Sequence, residues 1–427
     1  MKLELGKIKI DDIQFEESTE VNNGILKVNK GELLEKIADD RIKDIDFNIV
    51  RPGDSVRVIP VKDVIEPRVK VEGDGGIFPG FISDNTMVGN GRTHVLKGAA
   101  VMTTGEIVGF QEGIVDMSGP GAEYTPYSKL NNLVITCEVK DDIDQHEHEE
   151  ILRIMGLKAA SYLGEAAKDV EPDEIETYEN KSIPEAANQY PDLPKVGYLC
   201  MLLSEGLLHD TYVYGVDAKN ILPTLTSPTE FMDGAIISGN CVSACDKNTT
   251  YVHQNDSVIE ELYKKHGKEI NFMGVIITNE CVTLDNKERS SNYAVKLAEQ
   301  LGLDAAIISE EGFGNPDADL VMNCNGLEEK GIKTVLITDE FAGRDGASQS
   351  LADATPNADA VVTAGNANEV ITLPPMKKVI GHQNFADIIA GGFDGSLNDD
   401  GSIEVEIQAL MSATNELGFG NLTARTY

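Results

Sequence analysis

From Ser257 onward the chain alternates helix-length amphipathic stretches with short apolar runs, a rhythm that few folds accommodate. Helical patterns over residues 257–265, 287–301 and 316–330, with a further helical stretch near 348–354, interleave with strand patterns over 272–278, 305–309, 334–338 and 360–363. Strands separated by helices of this length cannot pair as hairpins, so the pattern predicts a parallel sheet covered by helices on both faces. In the first helix Val258, Ile259, Leu262 and Tyr263 share a face. Ser257 and Glu260 stand at capping-box spacing, and Gly267 follows the last turn.

Residues 1–140 read differently. Runs at 44–50, 54–59, 68–72 and 133–139 suggest strands, and the first three alternate polar with apolar residues as half-buried strands do. Between them, residues 72–121 are rich in glycine and carry Gly89-Asn-Gly-Arg-Thr-His94. Such a stretch either meanders between strands or lets the backbone approach a ligand, in which case Arg92 is a candidate partner for a substrate carboxylate and His94 a candidate proton carrier. A helix is predicted over 146–167, with Ile151, Leu152, Met155, Ala159 and Leu163 facing a core. His146 and His148 precede it in an acidic stretch, but residues two apart on a helix do not face one another, so a solvated helix start is predicted and no metal. The polar stretch 171–194 holds four prolines and reads as a linker or long surface loop. The fold class is thus α/β, a mixed β-rich N-terminal half followed by a doubly wound, mostly parallel sheet in the C-terminal half. The expected division is a β-rich domain at 1–140, a helical and mixed segment at 141–240, and an α/β domain at 241–427.

Charge narrows the partners. The 427 residues hold 36 basic and 72 acidic side chains, a net charge of −36. Such a surface repels phosphate backbones and anionic membranes, so neither nucleic acid nor a membrane is an expected partner. No apolar run approaches the ~18 residues of a membrane span, and Met1–Ile10 alternates like a strand where a secretion signal needs an unbroken apolar core. A cytoplasmic protein is expected. Six cysteines, at 137, 200, 241, 245, 281 and 324, are too few and too scattered for a disulfide framework. Cys137 and Cys200 lie in apolar runs and read as buried thiols.

In an open parallel sheet, ligands collect outside the carboxyl ends of the strands. The ends predicted here carry Asn279-Glu280-Cys281, Glu310-Glu311-Gly312-Phe313-Gly314-Asn315, Asp339-Glu340 and Gly365-Asn366. Four polar loops would converge on one edge, and Cys281 and Glu311 are the candidate substrate-side residues. Gly312-Phe-Gly-Asn lacks the lysine and hydroxyl residue of a phosphate loop and the spacing of a dinucleotide fingerprint, so no nucleotide is expected.

Residues 234–245, Gly-Ala-Ile-Ile-Ser-Gly-Asn-Cys-Val-Ser-Ala-Cys, contain the most reactive local pattern. Small residues around Gly239-Asn240-Cys241 permit a turn that brings the Cys241 thiolate onto the Asn240 carbonyl carbon, giving a thioester by an N-to-S acyl shift. Elimination across Cα and Cβ of Cys241 then frees the sulfur with the upstream chain, and the dehydroalanine left behind tautomerises and hydrolyses to a pyruvoyl group. The rival reading uses Cys241 and Cys245 as a Cys-x-x-x-Cys pair for redox or metal binding, although no second ligand pair lies nearby. Pyruvoyl formation consumes the Cys241 sulfur, so one mature protein cannot do both.

The sequence Gly239-Asn-Cys-Val-Ser-Ala-Cys-Asp246, the order of a mixed half before an α/β half, and the length together resemble the proprotein of component B of the glycine/sarcosine/betaine reductase complex over the whole chain. The resemblance implies a split at Asn240-Cys241 into residues 1–240 and 241–427, with Cys241 the precursor of a covalent pyruvoyl cofactor. It also implies a substrate-binding component that takes a small amino acid by its amine for reductive deamination to acetyl phosphate and ammonia. The implied partners are a selenoprotein subunit of the same component and separate selenoprotein-carrier and acetyl-transfer components. The D-proline reductase proprotein is related, and a decarboxylating pyruvoyl enzyme is a nearer alternative within the same chemistry. A non-catalytic assembly subunit is the remaining rival.

Overall fold

The computed structural model describes residues 1–206, 208–239, 243–417 and 423–425. The fold is mixed α/β, with a β-rich N-terminal half and a mostly parallel sheet beyond it. A four-stranded sheet runs in the order Glu174–Glu179, Lys2–Lys9, Gly91–Lys97, Arg68–Glu72. A second sheet runs Gly113–Asp116, Val56–Ile65, Ala99–Thr104, Asn131–Val139, Ile42–Val50, and Lys378–Gly381 adds to Val56–Ile65 in parallel. Helix Gln145–Glu165 buries Ile151, Leu152, Met155, Ala159 and Leu163 in the core beneath these strands, as their spacing predicts.

The third sheet positions the candidate site. Its order is Thr224–Thr226, Asn271–Asn279, Lys195–Leu202, Ala305–Ser309, Lys333–Glu340, Ala360–Asn366, Thr423–Arg425, and all but the first and last strands are mutually parallel. The central strand 195–202 alternates its faces. Tyr198, Cys200 and Leu202 pack with Ile259, Leu262, Val275 and Ile277 on one side. Leu199 and Met201 pack with Ile276, Ala294, Leu301 and Leu320 on the other. Both faces of a parallel strand are therefore buried, which is why its sequence reads as a continuous apolar run. Cys137, Cys200, Cys245 and Cys324 are buried free thiols. No helix of the described residues is long and apolar enough to cross a membrane.

Several predicted elements are corrected. Residues 348–354 form bends and not a helix. The backbone there is used elsewhere, because Ser350 O accepts from Phe341 N–H and Ala352 N–H donates to Asp317. A helix so short also lacks the packing that repays nucleation. The stretch 171–194 is no loop, since it holds strand Glu174–Glu179, antiparallel to Lys2–Lys9, and helix Ile183–Gln189. Its acidic residues mask a period-two strand, and Pro184 sits in the first helical turn, where no N–H is needed. The cap of helix Ser257–Lys265 is Asp256, which accepts from Val258 and Ile259 N–H, one residue before the predicted Ser257. The start of helix Gln145–Glu165 is not wholly solvated. Glu149 is fully buried between Lys62 Nζ at 3.1 Å and Arg153 Nε at 3.2 Å, and His148 is buried as well.

Candidate functional site at the sheet switch point

The strand following 195–202 in the parallel set, Asn271–Asn279, lies on one side of it, and the next, Ala305–Ser309, lies on the other. The chain direction across the sheet reverses here, and the carboxyl ends of strands at such a reversal are where open sheets of this kind form a ligand crevice. Those loops are tied together. Ser204 Oγ donates to Glu280 O, Glu280 N–H donates to Leu202 O at 3.2 Å, and Glu311 N–H donates to Glu280 Oε1 at 2.8 Å.

Asn240 and Cys241 lie outside the described residues, but the chain on either side of them docks at this crevice. On the upstream side Gly239 is buried against the loop that follows strand 195–202, so closely that a Cβ at 239 would stand 2.0 Å from Asp210 O and 2.6 Å from His209 O. Only glycine permits that approach. Next to it Ser238 N–H donates to Thr250 Oγ1 at 3.1 Å, and Asp63 holds Thr250 through both its N–H (3.0 Å) and its hydroxyl (2.7 Å). On the downstream side, residues 243–249 are all buried. Asn248 N–H donates to Glu311 Oε1 at 2.8 Å. Segment 412–415 clamps the same backbone, with Ser412 Oγ donating to Lys247 O at 2.9 Å and Asn415 Nδ2 reaching Asp246 O at 3.4 Å and Lys247 O at 3.3 Å. Tyr127 OH bridges Thr249 Oγ1 (2.6 Å) and Ser412 Oγ (2.8 Å).

The crevice is lined by buried acids. Asp246, Glu280, Glu310, Glu311, Asp339 and Glu416 are at most 1% exposed. Burial pushes Glu311 up to about 8 and carries Glu280, Glu310, Asp339 and Glu416 well above the carboxylate range. Asp246 is raised by the same cause. Lys247 is buried among them and donates to Lys62 O and Gln111 O. An ion pair of Lys287 with Asp319 closes the rim, and Asp319 is pushed up to about 6 by burial. Carboxyl groups that hold protons near neutrality can act as acids and bases on a small polar molecule.

The structure brings some predicted site residues together and separates others. Glu311 sits in the crevice at 1% exposure. Cys281 is on the adjoining rim, half-buried, its N–H donating to Asp319 Oδ2 at 3.3 Å and its thiol pushed by burial to about 11. Arg92 and His94 lie instead on strand Gly91–Lys97 of the four-stranded sheet. There the Arg92 guanidinium is paired with Glu4 at 2.6 Å, and His94 Nδ1 is 2.9 Å from Ala167 O. Cys245 is buried, donating its S–H to Asp246 Oδ1 at 3.0 Å. Sequence reasoning did not single out Asp246, Thr414 and Glu416. Asp246 adjoins the Cys-x-x-x-Cys pair, whereas no local signal marks Thr414 or Glu416, which fold back onto it from the far end of the chain.

The family model for glycine/sarcosine/betaine reductase component B subunits matches residues 1–425. Among relatives, the chain is 66% identical to the glycine reductase complex component B subunits alpha and beta of Acetoanaerobium sticklandii and 66% identical to those of Peptoclostridium acidaminophilum, covering all of both chains in each case. It is 55% identical to the sarcosine reductase complex component B subunit alpha of Peptoclostridium acidaminophilum, again over the full length of both. No solved structure matches. A full-length family match and full-length relatives at this identity place the chain in the family of glycine/sarcosine/betaine reductase component B subunits.

Proposed function

We propose that this chain is the proprotein of the substrate-binding component of a cytoplasmic glycine reductase complex, and that it cleaves itself at Asn240-Cys241 to leave a pyruvoyl group on residue 241. The observation that carries the reading is the docking of both flanks of the junction, Gly239 and Ser243–Thr249, into the acid-lined switch point of the sheet. Full-length relatives whose single chain bears the names of two subunits, alpha and beta, support a cut within one precursor. Identity of 66% to the glycine-named relatives against 55% to the sarcosine-named one favours glycine as substrate.

The cut needs a nucleophile, a proton acceptor at Cα of residue 241, and a proton donor for the leaving groups. Cys241 is the nucleophile at the Asn240 carbonyl. Glu311, charged or protonated according to small changes near its value of about 8, suits removal of the Cα proton as the Cβ–S bond breaks. The Asn240 thiocarboxylate leaves with the upstream chain, and water converts the resulting imine to the ketone with loss of ammonia. Glu280 Oε2 and Glu311 Oε2, buried without a hydrogen-bond partner among the described residues, leave hydrogen-bonding capacity for a small polar group beside the junction.

Once formed, the pyruvoyl group supplies an electrophilic carbonyl that no standard side chain offers. The chain's own residues bind around it. The raised carboxyls deliver a proton to the departing nitrogen of the substrate. The rim at Cys281 and Lys287 orients the substrate carboxylate, with Arg92 and His94 too far along another sheet to share the crevice by any contact among the described residues. Selenium chemistry and acetyl transfer fall to the selenoprotein subunit and to the carrier and acetyl-transfer components. A reduced dithiol donor gives two electrons, and glycine with phosphate becomes acetyl phosphate and ammonia.

Intact-mass measurement of the purified protein beside Cys241→Ala tests the reading. Two fragments meeting at Asn240-Cys241, the downstream one refractory to N-terminal sequencing and reactive with phenylhydrazine, are expected from the wild type, with one uncut chain from the variant. A single wild-type chain with six titratable thiols would overturn it.

A further inference from the structure

Beneath the junction, Cys245 Sγ, a carboxylate oxygen of Asp246 and one of Asp339 all lie within 4.8 Å of one another, and all three residues are buried. The hydrogens available to this group are too few. Cys245 S–H donates to Asp246 Oδ1 at 3.0 Å. Thr414 Oγ1 stands 3.1 Å from both Asp246 Oδ1 and Asp339 Oδ2, but one hydroxyl hydrogen serves only one of them at a time. The two carboxyl groups touch each other, and Asp246 Oδ2 and Asp339 Oδ1 receive no hydrogen from any other described residue. Glu310 Oε2 and both oxygens of Glu416, also buried, are likewise unpartnered. Carboxyl oxygens buried without a hydrogen from any other described residue, beside a thiol within reach of both, make a ligand set that a cation can fill.

We propose that Cys245, Asp246 and Asp339 bind one divalent cation of the borderline class, Fe²⁺ or Zn²⁺. Ligands at about 2.0–2.4 Å from a cation stand ~3 to 5 Å apart, and none of these three atoms lies more than 4.8 Å from another. A mixed oxygen and thiolate set selects against Mg²⁺ and Ca²⁺, which take oxygen alone. Thr414 then becomes the outer hydroxyl that orients both carboxylates, a supporting contact of the kind metal sites carry. The thiol hydrogen and the proton shared by the two aspartates leave as the cation enters. Binding therefore tightens as pH rises. The proposal is independent of the pyruvoyl reading, because Cys245 is not consumed by the cut and the cation lies beside the clamped segment whether or not that segment is cleaved.

The test is metal content by elemental mass spectrometry of the full-length protein as purified, followed by chelation and calorimetric titration with Mn²⁺, Zn²⁺ and Mg²⁺. About one Fe²⁺ or Zn²⁺ per chain is expected, with Mn²⁺ and Mg²⁺ at least ~10-fold weaker than Zn²⁺ and binding tighter at higher pH. Asp339→Asn and Cys245→Ser should each abolish or weaken that binding at least ~10-fold, with circular dichroism reporting whether each variant is folded. Thermal shift separates the two states of the site even without binding data. A site that uses a cation loses stability in Asp339→Asn when the metal is present. A site that holds only a shared proton shows the same stability change with and without metal, because asparagine stands in for the protonated acid. Absence of saturable binding in folded wild-type protein, or an Asp339→Asn variant whose stability relative to wild type is the same with and without metal, would overturn the proposal.

Discussion

Replacing Glu311 by glutamine keeps the shape of the side chain and its acceptance of the Asn248 N–H, and removes the ability to ionise. In the folded protein burial holds this carboxyl at about 8, against 4.5 for an unburied glutamate. Between those values the folded chain keeps a proton that the unfolded chain has released, so folding takes up a proton and wild-type stability falls as pH rises. The slope is about 1.4 kcal/mol per pH unit, giving about 2.7 kcal/mol between about pH 5.5 and 7.5 and a ceiling near 5 kcal/mol above pH 8. The glutamine variant lacks this contribution. Its stability relative to wild type should therefore rise by about 2.7 kcal/mol across that interval. The assay is urea denaturation of chelator-treated protein at several pH values, followed by far-UV circular dichroism because the chain has no tryptophan. A difference between the two proteins that stays flat from pH 5.5 to 7.5 would refute the assignment of a proton-holding acid at 311.

Two further outcomes rest on packing. Gly239→Ala places a methyl 2.0 Å from Asp210 O, forcing the loop and the junction apart; self-cleavage followed by gel electrophoresis should slow by at least ~10-fold, and stability should fall by about 1–3 kcal/mol. Arg57 and Asp116 form a fully buried pair with contacts of 2.7 and 2.8 Å, and Arg57 also donates to Pro374 O at 3.0 Å. Arg57→Met strands the Asp116 charge and should cost about 3–5 kcal/mol by denaturant midpoint at neutral pH, with most of the loss recovered in the Arg57→Met/Asp116→Asn double variant.

The elements after Ser257 were legible because helices and strands there carry clean periods. The predicted strand 305–309 is the observed Ala305–Ser309, and helix 257–265 is the observed Ser257–Lys265. The convergence of Glu280, Glu311 and Asp339 on one edge followed from strand polarity alone. What stayed hidden has physical causes. Strand Glu174–Glu179 carries three glutamates and a threonine among its six residues, a composition that resembles a loop, and its partner Lys2–Lys9 is remote in sequence. The clamp of Asp246 by Thr414 joins residues with no shared periodicity. Arg92 follows glycines that suggest a ligand loop, yet it is a strand residue neutralised by Glu4, a contact set by the pairing of two distant strands.

On the proposed cut at residue 240, strand Lys195–Leu202 falls in the upstream piece, yet it is flanked by Asn271–Asn279 and Ala305–Ser309 of the downstream piece. Pulled out, it would leave those two strands facing each other across about 9.6 Å, twice the ordinary interstrand spacing, each with a bare row of backbone donors and acceptors. Neither piece can therefore complete its own sheet. Under the proposed cut, synthesis as a single chain would be a folding requirement and the break a nick in a finished object: expressing the halves from separate messages should yield two aggregation-prone polypeptides in place of the assembled protein.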